Sequence, residues 1–181
     1  MTYAIIIFGA LLLFAIFQFN NLIAKKNKVH EAYSSIDVML KKRTDLIPSL
    51  INTVKGHMEH ERATLTEITQ LREKIMSEKI LTNDRFKWEN QLGMLLGNLH
   101  IRAEAYPELK SSENFLMLQA SLNEVEEQLS AARRAYNSAV NAFNNALEMF
   151  PSNVMGKMMG YSPKTLFTIE DEEKKAPEVS F

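Results

Sequence analysis

The chain has 181 residues with 21 Lys and Arg against 22 Asp and Glu, a formal charge of −1. That balance gives no global attraction to nucleic acid or to an acidic substrate. Cysteine is absent, which excludes disulfides, thiolate metal sites and cysteine nucleophiles. Only six Gly and five Pro occur, and alternating β-branched runs bounded by turn residues are missing, so an all-α fold is expected.

From Thr2 to Ala24 the one ionisable side chain is Tyr3. "YAIIIFGALLLFAIFQF" is close to the shortest helix that spans a hydrocarbon core, and "NNLIA" extends it through the interface. A cleaved signal peptide would carry a basic leading region and a small-residue cleavage site; "MTYAIII" has no Lys or Arg, and "FQFNNLIAKK" is a poor site. Residues 1–24 are therefore expected to form an uncleaved single-pass anchor in the lipid bilayer. Lys25, Lys26 and Lys28 follow at once, and the positive-inside rule then favours a cytoplasmic body.

Beyond the anchor, residues 29, 33, 36, 40, 47, 50, 51, 54 and 58 form an apolar stripe at helical spacing. No Gly or Pro separates this stripe from the anchor, so one nearly continuous helix is expected, weakened or broken at Gly56. Within it, "SSIDVMLKKRTDLIPSL" gathers Asp37, Arg43, Asp45 and Pro48. Pro48 cannot donate to the Thr44 carbonyl, which predicts a kink and an oxygen in need of another donor. Asp37 and Lys41 are spaced as a surface ion pair, while Arg43 falls on the apolar stripe and needs a carboxylate from Asp45 or from another helix. These four residues are expected to form a structural polar network.

"HMEHE" sets His57, His60 and Glu61 at helical spacing, but the metalloprotease His-Glu-x-x-His order and the Glu-x-x-His pair of di-iron bundles are both missing. No metal, cofactor or catalytic residue is expected. Leu65, Ile68, Leu71 and Ile75 mark a further helix, "LTND" at 81–84 a turn, and Phe86, Leu92, Leu95, Leu96 and Leu99 a helix over about 85–103. Pro107 in "AYPELKSS" interrupts the pattern.

Next, Phe115, Leu118, Leu122, Val125, Leu129, Ala132, Tyr136, Ala139, Phe143, Ala146 and Phe150 alternate three- and four-residue steps, a bundle seam that Pro151 ends. Off this seam lie Asn137, Asn141, Asn144 and Asn145, within thirteen uncharged residues. Such a face serves either as neutral packing surface against the chain's own bundle or as a contact between copies of the chain. "PSNVMGKMMGYSPKTLF" at 151–167 is a short amphipathic stretch that either caps the bundle or docks on a partner or membrane surface. The acidic tail over 168–181 ends with apolar Val179 and Phe181, which suit docking of an extended C-terminus.

The expected architecture is an N-terminal transmembrane helix (1–24) continuing into an antiparallel up-and-down bundle of three to four long helices (25–150), then the segments 151–167 and 168–181. The stretches "AYSSIDVMLKKRTDLIPSLINTVKGHMEHE", "AYPELKSSENFLMLQ", "AARRAYNSAVNAFNNALEMFPSN" and "APEVSF" strongly resemble, in the same order, the LemA family. The resemblance implies a bacterial cell-membrane protein with one anchor and a helical bundle, without agreed catalytic residues. It also implies gene neighbours that include membrane metalloproteases. The function expected is a non-enzymatic membrane scaffold that forms a homo-oligomer or presents its bundle to other envelope proteins. The alternative is an adaptor for a membrane protease or chaperone, engaged through Val179 and Phe181.

Overall fold

The computed structural model describes residues 1–77 and 83–167, with residues 83–86 described by backbone alone. Among these residues it is all-α. Helix α1 runs unbroken over Thr2–Lys55 and includes Pro48. Helices α2 (Arg62–Ser77), α3 (Asn83–Ala103), α4 (Pro107–Lys110), α5 (Glu113–Glu148) and α6 (Ser152–Met158) follow. The continuity of α1 across the anchor boundary and its end just before Gly56 agree with the apolar pattern. Helix α3 starts two residues earlier than "LTND" suggested.

Two compact units divide the chain: residues 1–34 with 132–181, and residues 35–131. Helices α1 and α5 each contribute to both units.

In the second unit, Ile47, Leu50 and Val54 of α1 pack with Leu65, Ile68, Leu71 and Ile75 of α2, Leu92 and Leu99 of α3, Leu109 of α4 and Phe115 of α5. Each helix contributes one stripe at three- and four-residue spacing, and no stripe can leave water without the others. Met58, fully buried, plugs the link between α1 and α2.

In the first unit, Leu22 and Val29 of α1 pack against Ala139, Val140, Phe143 and Ala146 of α5, with Met155, Met159 and Tyr161 closing over them. Two details of the predicted seam change here. Val140, outside the seam, is fully buried, whereas Phe150 is 82% exposed. The stripe widens to a third position because α5 is covered by α1 and also by the segment after α6. Phe150 falls outside because α5 stops at Glu148, and the Ser152 hydroxyl donates to the Ala146 carbonyl at 2.6 Å in the turn that follows. Helix α6 ends with Gly160 at φ 66°, which lets Gly160 N–H reach Lys157 O and Tyr161 N–H reach Gly156 O.

Residues 3–17 are a different surface. Ile5 and Phe8 are each 70% exposed, and the most apolar eighteen-residue stretch of α1 has no buried share. The helix is long and apolar enough to cross a membrane.

Candidate functional site

Arg43 occupies a core position on α1, between Leu40 and Ile47, and is 2% exposed. A guanidinium cannot shed its charge, so it stays buried only where carboxylates and carbonyls receive it. Its Nη2 donates to the Glu89 backbone oxygen at 2.9 Å and to the Glu89 carboxylate, and its Nη1 donates to Glu126 Oε2 at 3.0 Å. Glu89 is fully buried on α3, while Glu126 on α5 is about half exposed. Gly93, one turn beyond Glu89, borders the guanidinium, and a Cβ there would stand 3.5 Å from Nη1. The cluster ties α1, α3 and α5 together within the second unit.

Of the other residues expected near Arg43, Asp45 is exposed and accepts from Lys41 Nζ at 3.0 Å. Asp37 and Pro48 are likewise exposed. The carboxylates that receive Arg43 thus come from other helices. Glu89 interrupts an apolar stripe, between Phe86 and Leu92 on α3, as Arg43 does between Leu40 and Ile47, whereas Glu126 lies off the α5 seam among other acids.

The carbonyl freed by Pro48 has a donor: Arg72 Nε on α2 reaches Thr44 O at 2.9 Å. A buried acceptor left unmade costs about 1–3 kcal/mol. Arg72→Ala is therefore expected to destabilise by about that amount, and Pro48→Ala, which restores a backbone donor, to reduce the loss. A denaturant double-mutant cycle checks this; equal losses in the presence and absence of Pro48 would contradict it.

In the first unit the asparagines separate into two classes. Asn144 donates to Lys164 O and accepts from Lys164 N–H, both at 2.8 Å. Asn137 does the same with Phe167, at 2.9 and 2.8 Å. Tyr136 adds a hydrogen bond from its hydroxyl to Thr165 O at 3.1 Å. Burial, and then the neighbouring Tyr33, push its phenol above the usual tyrosine value, keeping it protonated and able to donate.

Seven helical residues advance about 10.5 Å. Three extended residues cover about 10 Å. The two amides therefore match a chain running antiparallel to α5, and residues 161–167 form a strap along it. Its ends are fixed by rings: Tyr161 meets Phe143 at 5.9 Å and lies under Lys26 Nζ at 5.2 Å, while Arg133 sits 4.6 Å from the Phe167 ring. Asn137 and Asn144 are thus engaged by the chain itself, and Asn141 and Asn145 remain exposed.

The "HMEHE" stretch is not one helical turn, because α1 has ended and Glu59–Glu61 form a short 3-10 helix. His57 lies 3.8 Å from Glu108, and Glu61 pairs with Arg102. Among the described residues no group of three or more His, Asp or Glu could hold a metal ion. Two open grooves on the second unit are lined by Lys55, Arg62 and Thr69, and by Ser49, Asn114 and Ser121; Arg43, Asp45 and His57 border neither. Val179 and Phe181 lie outside the described residues.

Comparison with known proteins adds three findings. The model of the LemA family matches residues 32–181. "Protein LemA" of Metamycoplasma hominis is 24% identical over 155 residues, covering 86% of this chain and 71% of that protein. "Magnetosome protein MamQ 2" and "Magnetosome protein MamQ 1" of Paramagnetospirillum magneticum are each 20% identical over 175 residues, covering 83% of this chain and 64% of theirs. The chain therefore spans just under two thirds of the MamQ proteins' length. None of these names states a reaction.

Proposed function

Since the chain belongs to the LemA family, we propose that it is a membrane-anchored helical scaffold that works by lateral association, with copies of itself and with other membrane proteins, and not by catalysis. The observation that carries this reading is the single helix α1. Its lipid-compatible stretch has no buried share, yet the same helix contributes Leu22 and Val29 to a packed core. A soluble core helix would be covered, and removing the stretch near Leu22 would expose that core. Lys25, Lys26 and Lys28 favour a cytoplasmic body.

Confinement to a bilayer raises the effective concentration of weak lateral faces. The uncharged surface of α5 left beside the strap, with Asn141, Ala142 and Asn145 exposed, is a face on which helices can approach closely. Asn144 is unsuited to testing it, because its amide holds the strap. Multi-angle light scattering of the full chain in detergent, with Asn141→Glu and Asn145→Arg introduced together, tests the reading. The parent is expected to run as an oligomer and the variant to shift to lower mass; a monomeric parent rules self-association out.

A further inference from the structure

The geometry points to a second lipid contact, made by α6 and the turn before it at the bilayer interface beside the point where α1 leaves the membrane. The inference rests on the anchor reading of α1 and goes beyond it. Leu22, 1% exposed, marks the level at which the apolar run of α1 gives way to Lys25, Lys26 and Lys28.

Helix α6 is seated at that level: a Cβ on Gly156 would stand 3.7 Å from Leu22 Cδ2, and Met155 and Met159 join the same cluster. Four residues further along α1, Lys26 covers the ring of Tyr161, just past the end of α6. The C-terminal half of the short helix and the residue that follows it are thereby held against residues 22–26.

The opposite side of this element is apolar and open. Met149 is 64% exposed, Phe150 82%, Val154 51% and Met158 78%. Phe150, Val154 and Met158 recur every fourth residue, and Lys157 lies among them with its charge available to headgroups. Four large apolar side chains in water beside a hydrocarbon surface gain by entering its boundary, and long flexible Met suits that irregular environment. Continuity with the spanning stretch of α1 selects lipid as the occupant. Apolar side chains adjoining a transmembrane exit meet the acyl-chain and headgroup boundary before any soluble partner.

The absence of cysteine makes the test direct. Single variants Leu13→Cys, Val154→Cys and Met158→Cys of the full chain would be spin-labelled in nanodiscs of phosphatidylcholine with phosphatidylglycerol. Collision with oxygen would then be compared with collision with a water-soluble nickel chelate. Position 13 serves as the anchor control. The expected result is an oxygen-dominated label at 158, shallower than at 13, with 154 similarly shielded from nickel.

Nickel-dominated labels at 154 and 158 beside an oxygen-dominated label at 13 would overturn the second contact and leave the anchor standing. Nickel dominance at 13 would remove the anchor reading and this inference together. Labels at 154 and 158 shielded from both reagents would mean that protein covers the patch, which also overturns it.

Discussion

Arg43→Met is expected to destabilise the protein by about 3–5 kcal/mol, because it takes the guanidinium away from the fully buried Glu89 carboxylate. Glu89→Leu alone should cost a similar amount, leaving the guanidinium with the half-exposed Glu126 as its remaining carboxylate. The two substitutions together replace both ends of the pair by apolar groups. That double variant is expected to recover most of the loss, since the desolvation penalty of a buried pair offsets much of its Coulombic attraction. Glu126→Gln should change stability by less than about 1 kcal/mol, its carboxylate already being in contact with water. Urea unfolding of the full chain in detergent, followed by circular dichroism, measures all four. Additive losses in the double variant would show that Arg43 and Glu89 do not act as a pair.

Asn137→Ala with Asn144→Ala removes the four amide hydrogen bonds that hold the strap to α5. At about 1 kcal/mol net for each bond, strap opening should rise by roughly a hundred- to a thousandfold. The readout is limited trypsin digestion after Lys164, in the regime where cleavage follows the open population. The paired control, Asn141→Ala with Asn145→Ala, touches exposed residues and is expected to leave the rate unchanged. Equal cleavage of both variants and the parent would mean that Tyr161 and Phe167, anchored by their ring contacts, hold the strap without the amides.

The helices were readable because each obeys a local rule. The apolar stripe of α1 predicted Val29, Ile36, Leu40, Ile47, Leu50 and Val54, all buried, and Gly56 marked its end. The orphan Thr44 carbonyl also followed from Pro48 alone, since a proline ring removes a known donor. What supplied the missing donor did not follow: Arg72 lies 28 residues away, and only packing brings it near. Arg43 advertised itself as a charge on an apolar stripe, but its partners Glu89 and Glu126 are 46 and 83 residues distant.

The asparagines show the same boundary differently. Their lack of charge signalled contact, yet composition could not distinguish a second copy from the chain's own residues 164–167. That distinction depends on where the chain goes after α6, which Gly160 and the α6 seat determine. Helical spacing likewise does not carry through "HMEHE", where α1 has ended before Gly56, Met58 is buried and Glu59–Glu61 form a 3-10 helix.

Between its ring-anchored ends the strap is gripped through its main chain: the amides of Asn137 and Asn144 and the hydroxyl of Tyr136 all address backbone atoms of Lys164, Thr165 and Phe167. Such a grip is blind to the side chains passing through it. Lys164, Thr165 and Leu166 can consequently be rewritten, proline at 164 excepted, without loosening the attachment. This short stretch is a natural place to graft an epitope or a reporter onto the protein while leaving its scaffold intact.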